Sequence, residues 1–599
     1  MLLCPGGARI ACIEGGTVRS SRGTRGARFR RSCLAAALAC LVTPAFAAAD
    51  RFVYVSNGFP AGSNNISALH INSDGSLTAV SGSPFATGGT ITEGLSVTPD
   101  AQHLYVATFG TSDVRGFNIA GTGGLSAVSG SPFAAGSTPL GTAPAPDGSR
   151  VFAWNHGSSI GSWTIGSGGT LSQASGSPFS VPAGQTNPFA GSVAPDGQHL
   201  YVPNENATPV MGVETNTVSA YSVASNGTLT PIQSIQTGNA SAAGSNPFGS
   251  GITPDGNFLY VSNPEDGTYG TLSGFSVGSS GLLTALPGFP LSLNPGSHPL
   301  NIAVSPDGQH LYVATRITST VNAYNIGSNG SLSAISGQPF ATGGTNGKAL
   351  AFTPDGKRLY VSNNVSNNVS GFNVASDGSL SLISGSPWPT GGTNPDLESI
   401  AITPNQPPTA AFITHSKPKR KVLVKLNGTP SSDPDGTVAT YDYDFGDGHS
   451  HQSVDGTVQH KYANAGTYTI ALTVTDNEGC SADRIFTGKA TLCNGSTVAE
   501  ATQDVAARKL FIDYFNKKGR FGGQVGGGGR KACKKDEVTV FKKRHGNDHK
   551  VGSDNSDHAG RWRVRDRNAN GTFYAQVKKK ILGDGTICLA RKSRKIKVG

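Results

Sequence analysis

Apolar and polar residues alternate in short bursts along most of this chain, with Gly, Ser, Asn and Pro in the gaps. Alternation with a period of two marks half-buried strands, so the chain predicts short strands joined by tight turns. Between 306 and 354, Pro306-Asp307-Gly308 reads as a turn, because proline presets one φ and glycine supplies a positive one. Strands are then predicted at 310–314, 321–326 and 331–335, with a fourth at 349–353 ahead of the next turn, Pro354-Asp355-Gly356.

This unit occurs seven times. Its anchor aromatics are Tyr54, Tyr105, Phe152, Tyr201, Tyr260, Tyr312 and Tyr360, at successive spacings of 51, 47, 49, 59, 52 and 48 residues. A period near 50 residues made of four short strands is that of a propeller blade. The array opens at Arg51 in mid-unit and ends at 398–403, a lone inner strand. If that strand pairs into the first blade, both ends of the array seal a seven-bladed ring over 51–404 with no open edge.

Composition changes this picture little. The 81 Gly and 35 Pro of the 599 residues recur at the turn positions of the repeat, so they do not signal disorder. Charge adds more. Residues 51–404 hold 7 Lys+Arg against 16 Asp+Glu, a net of −9, whereas 500–599 hold 25 against 10, a net of +15. The formal +10 conceals an acidic propeller and a basic tail, regions suited to different partners.

Arg28, Arg30 and Arg31 precede an apolar run at 34–42, and Ala45-Phe46-Ala47 reads as a small-x-small cleavage site. Residues 1–47 therefore read as an export signal, with an apolar run too short to span a bilayer. Export suits the cysteines: four fall inside that signal, and Cys480, Cys493, Cys533 and Cys588 remain. An even count in a secreted chain favours disulfides, and sequence position suggests Cys480–Cys493 and Cys533–Cys588. The competing reading, a four-thiolate zinc site, lacks the Cys-x-x-Cys pair such sites use.

Past a stiff Pro407-Pro408 linker, 405–495 form a second module. It carries Ser432-Asp433-Pro434-Asp435-Gly436, Tyr443-Asp444-Phe445-Gly446-Asp447-Gly448, His460-Lys461-Tyr462 and Leu472-Thr473-Val474-Thr475-Asp476. In that order these motifs resemble the polycystic kidney disease (PKD) domain, which implies an immunoglobulin-like β-sandwich serving as spacer or binding module. Tyr443 stands where that family usually has Trp. The carboxylates of Asp433, Asp435, Asp444, Asp447 and Asp476 suit calcium, a hard cation taking several oxygens, but Asp and Gly also build tight turns.

Residues 496–599 read as a third, basic β-sandwich, with strands at 519–525, 537–543, 560–564, 572–577 and 587–598. Cys533, Gly560-Arg561-Trp562, Tyr574-Ala575 and Cys588 give it a resemblance to a prealbumin-like sandwich. Its Lys and Arg clusters suit an anionic cell-wall polymer or membrane surface. No nucleic-acid motif accompanies them, and export makes that partner less fitting.

The propeller repeat, with Leu-Tyr-Val-x-Asn after Pro-Asp-Gly and Gly-x-Leu-Ser-x-x-Ser-Gly-Ser-Pro-Phe between blades, resembles the seven-bladed lactonase family, which includes 6-phosphogluconolactonases. The resemblance implies His, Arg and Glu at one face of the ring acting on an acidic substrate. Here Asn187-Pro188-Phe189-Ala190 stands where a His-bearing segment is expected, leaving His298, Arg316 and Glu93 as candidate catalytic residues. A lactonase must converge cations on its substrate, yet of the propeller's cations only Arg115, Arg316 and Lys348 suit that face. The same face holds Glu93, Glu205, Glu214, Glu265, Asp266, Asp396 and Glu398. The sequence therefore leads to a secreted, monomeric, modular surface or matrix protein, its propeller a binding platform for a glycan or envelope polymer. It needs no cofactor beyond a possible calcium; the alternative is a lactone hydrolase.

Overall fold

A computed structural model describes residues 51–599 apart from 59–61, 206–215, 239–245, 265–269, 294–295, 416–422, 463–465, 478–498, 507–508, 511, 516–519, 527–535, 558, 579, 582–586, 589 and 599. The export signal, Glu214, Glu265, Asp266, Cys480, Cys493 and Cys533 lie outside the described residues. Among those described, every regular element is a strand.

Seven sheets make the propeller. Their inner strands are Pro395–Ile402, Thr92–Val97, Pro139–Pro144, Ser192–Val193, Ser250–Ile252, Pro299–Val304 and Gly347–Phe352, and each touches the next around the ring. Blades are numbered in that order. Pro395–Ile402 pairs antiparallel with Arg51–Asn57, placing Val53 opposite Ile402 and Val55 opposite Ile400. The first blade thus combines the two ends of the array, as expected, and the ring closes.

Blade four differs. The other six break the outermost segment into strands of three and two residues around the Gly-x-Pro turn, whereas blade four runs Leu229–Gln236 unbroken. Its sequence, Leu-Thr-Pro-Ile-Gln-Ser-Ile-Gln, lacks the Gly-x-Pro turn that interrupts the other six.

Neighbouring blades are latched by the anchor aromatics. The hydroxyls of Tyr54, Tyr105, Tyr201, Tyr260, Tyr312 and Tyr360 donate to the carbonyls of Gly123, Gly169, Gly281, Gly330, Gly378 and Gly75, each in the following blade. Phe152 has no hydroxyl. There Ser162, its cross-strand partner, donates to Gly227 at 2.7 Å, and Ala or Gly occupies that position in the other six blades. The carbonyl is satisfied by whichever strand can supply a donor, as a buried acceptor requires.

The Pro-Asp-Gly turns lie on the face opposite the starts of the inner strands. In five of these turns and in the matching Pro99-Asp100-Ala101 the Asp carboxylate accepts the backbone N–H two residues on, as Asp100 does from Gln102 at 3.0 Å. Much of the propeller's negative charge is therefore turn chemistry. Arg150 and Arg358 reach from this face to carbonyls of the next blade, Ala224 and Asn72.

The second module has two sheets around a core of Val424, Leu426, Tyr443, Phe445, Ile470, Leu472 and Val474. Tyr443 is 1% exposed and donates to the Gly456 carbonyl, so it fills a core position and satisfies its hydroxyl. Strand Ala499–Ala506, placed by the sequence at the head of the basic region, pairs instead along Gly466–Asp476, and Ile587–Cys588 then adds in parallel. The basic region therefore shares a sheet with the PKD module while keeping its own core of Phe521, Val540, Trp562, Phe573 and Val577. Cys588 is buried and disulfide-bonded.

Candidate functional site at the propeller mouth

A residue with left-handed backbone precedes the inner strand of every blade: Ile91, Thr138, Asn187, Asn246, His298, Asn346 and Asn394, at φ between 40° and 64°. Six of their carbonyls accept a backbone N–H from the end of the neighbouring second strand, for example Arg316 N–H to His298 at 3.1 Å. Asn and His tolerate this conformation better than most side chains. The backbone thus accounts for a histidine at 298, where four other blades carry Asn.

Two residues beyond each of these positions comes the ring at the mouth: Glu93, Leu140, Phe189, Phe248, Leu300, Lys348 and Asp396. The ring is divided. Leu140, Phe189, Phe248 and Leu300 are consecutive around it, and Phe189 stacks on Phe248 with centroids 4.3 Å apart. His156 meets Phe189 edge-on at 5.7 Å and Phe109 at 6.4 Å, extending the aromatic row across four blades. Burial holds the His156 imidazole below its usual pKa, so it is neutral at physiological pH.

Lys348, Asp396 and Glu93 fill the other arc. Lys348 Nζ lies 2.6 Å from Asp396 Oδ1. Glu93 is 2% exposed, and its Oε2 lacks a hydrogen-bond partner. Burial, then the charge of Asp396, raise the Glu93 carboxyl well above its usual range against the opposing pull of Lys348. Asp396 is itself raised by burial, which outweighs Lys348 and Arg316. Two buried carboxyls thus share one lysine, an arrangement that favours the protonated form of the carboxyl left without it.

Of the sequence candidates, Glu93 is thus buried with Lys348 and Asp396. Arg316 is exposed on the rim, near enough to Asp396 to affect it, and His298 is half-buried beside Arg316. No hydrogen bond or ion pair joins the side chains of Glu93, His298 and Arg316 among the described residues. Arg115 is paired with Asp113. The sequence places Lys348 on this face, but its pairing with Asp396 and the aromatic row emerge only when the blades are aligned on their left-handed residues, a register that single-strand motifs do not reveal. Below the mouth, Glu398 accepts from Trp154 Nε1 at 3.0 Å. The cavity beneath, lined by Thr142, Asn301 and Glu398, offers only about 50 Å³, which suits water and excludes a sugar.

The five acidic calcium candidates are divided between two places. Asp433, Asp435 and Asp476 gather where the PKD module meets the propeller: Asp435 pairs with Arg51 and Asp476 accepts from Asn405. Both oxygens of Asp433 and Oδ1 of Asp435 are buried without a hydrogen bond. Burial, then Asp435 and Asp476, push the Asp433 carboxyl up to about 7. Such orphaned oxygens fit a hard cation. Asp444 instead accepts from Gly446 in a turn, and Asp447 bonds to two histidines.

The closed ring of seven four-stranded blades, with a buried charged arc at one end of its channel, defines a seven-bladed β-propeller. The family model for the seven-bladed lactonase propeller matches residues 32–290 and 282–393, more than half of the chain, and a PKD model matches 405–488. The protein belongs to the seven-bladed lactonase family and carries a PKD domain.

Similar solved structures include a putative 6-phosphogluconolactonase from Bacteroides fragilis, 19% identical, covering 59% of this chain and 98% of that one at a TM-score of 0.48. A periplasmic gluconolactonase from Pseudomonas aeruginosa is 20% identical, with coverage of 59% and 99% and a TM-score of 0.44. Curated relatives match over short stretches. Collagenase ColA of Clostridium perfringens is 39% identical over 75 residues, 12% of this chain and 7% of that protein. Microbial collagenase of Vibrio alginolyticus is 34% identical over 83 residues, 14% and 10% respectively. The chain thus spans a tenth or less of these two relatives.

Proposed function

We propose that this is a secreted, modular surface or matrix protein whose propeller mouth binds a neutral, ring-bearing ligand such as an envelope glycan, without turning it over. The observation carrying this reading is the divided ring. Its apolar arc presents half-buried Phe248, backed by the buried ring of Phe189, to the C–H face of a sugar, and in its charged arc Lys348 is paired with Asp396. Apolar walls with a few fixed polar groups are the usual make-up of a small-ligand site. With Lys348 engaged, the cation remaining beside the charged arc is Arg316, exposed on the rim and drawn to Asp396, which is a weak grip for an anionic lactone. The PKD module joins on the face opposite the mouth, where Gln406 donates to Pro99, and leaves the mouth clear. Arg561, Arg563 and Arg565 point to solvent from one strand, giving the basic region a face for anionic envelope polymer.

A lactone hydrolase is the second reading, supported by family membership and by a Glu93 carboxyl that burial raises well above its usual range, as a general acid at neutral pH requires. Calcium held by Asp433, Asp435 and Asp476 is a smaller element of the proposal, supported by their orphaned oxygens. It predicts a melting temperature that rises with added calcium in the native protein and not in Asp433→Asn. Titration of the full protein with neutral oligosaccharides tests the main reading. Saturable binding weakened about tenfold, roughly 1.4 kcal/mol, by Phe248→Ala is expected. Binding unchanged by that substitution removes the mouth as the site.

A further inference from the structure

We propose that the PKD module of this chain carries a surface transition-metal site, with Zn(II) as the best-suited ion, built from Asp447, His449 and His460. Their ligand atoms all lie within 4.8 Å of one another. His460 Nε2 is 2.8 Å from Asp447 Oδ2, and His449 Nδ1 is 3.2 Å from Asp447 Oδ1. In a tetrahedral zinc site with bonds of roughly 2.0 Å, neighbouring donors stand about 3.3 Å apart, so both imidazoles already lie near this distance from the carboxylate, each on its own oxygen. The third edge, between the two imidazoles, closes by rotation of His449, whose side chain is 73% exposed and free to move.

The other two ligands are held. His460 stacks on Phe445 at 3.9 Å with the rings 5° from parallel, and Tyr462 meets it edge-on at 4.7 Å, so Nε2 has a fixed direction. Asp447 is held by its contacts to both imidazoles, His460 Nε2 on one carboxylate oxygen and His449 Nδ1 on the other. Two imidazoles and a carboxylate suit Zn(II), Cu(II) or Ni(II) better than calcium, which prefers oxygen alone. His449 and His460 line a groove of about 740 Å³ together with Lys425, His451 and Gln459. Three protein ligands leave a fourth position for water or for a donor from outside the chain, reached from the groove beside exposed His449.

Calorimetric titration of the full, tag-free protein with ZnCl₂, with excess calcium present to occupy carboxylate sites, tests the proposal. The expected result is saturable binding of one zinc, weakened at least about tenfold by His449→Ala, the low end of what even an indirect partner of a metal ligand costs. His449 is exposed, so this variant keeps its fold, and unchanged thermal melting checks that. His451→Ala serves as the control that retains binding. Absence of saturable zinc binding, or binding unaffected by His449→Ala, overturns the site and leaves the His460–Asp447 bond as a loop tether.

Discussion

At the scale of single residues the propeller is held by satisfied carbonyls and by the Lys348–Asp396 pair at its mouth. The blade-three latch shows how, because Ser162 replaces the hydroxyl that Phe152 lacks. Ser162→Ala should cost about 1–3 kcal/mol by orphaning the Gly227 carbonyl, and adding Phe152→Tyr should recover much of that loss. Urea denaturation of the two variants checks the cycle; a double variant no more stable than Ser162→Ala would refute the equivalence of the latches. Glu93 supplies a pH signature. Its folded pKa is raised above 4.5, so its contribution to stability is present below pH 4.5 and is lost as pH rises toward the folded value. The propeller should therefore melt at lower temperature as pH increases above about 5, and Glu93→Gln should flatten this slope. Equal slopes would place Glu93 in solvent. The sequence identified Glu93 and Arg316 as residues of the mouth. It did not show that Lys348 and Asp396 pair beside Glu93, since the three come from different blades.

At the scale of elements, the strands of the repeat were legible because seven copies average out local ambiguity. The 310–314 and 321–326 predictions appear as His310–Thr315 and Thr320–Ile326. Where no repeat helped, reading failed for physical reasons. His549–Asn555 is a strand with mostly exposed side chains, so it shows no apolar alternation, and it is held by pairing with Glu537–Lys542 and by Val551 against the core. Ala499–Ala506 gives its backbone to the PKD sheet, a partner chosen by tertiary contact. The closing strand was legible from its position alone. Ala401→Pro should therefore lower the melting of the whole propeller in one cooperative step, because proline removes the ladder donor opposite Tyr54 and reopens an edge. Calorimetry showing an unchanged transition would mean that the ring does not depend on this strand.

At the scale of the whole molecule, the mouth, the PKD joint and the basic region divide the work. The net +15 over 500–599 predicts that binding to anionic envelope polymer weakens steeply with salt, since exposed charges are screened beyond about 8 Å at physiological ionic strength. A salt series on material lacking 500–599 that retains equal affinity would remove the anchor role. The central claim is that a lactonase-family propeller here binds without catalysis. The most direct test is the initial rate of hydrolysis of simple lactones and of 6-phosphogluconolactone by the purified protein, beside Glu93→Gln and His298→Ala. The account predicts rates equal to the uncatalysed reaction for all three proteins; turnover by the native protein that either substitution abolishes would contradict it and establish a hydrolase.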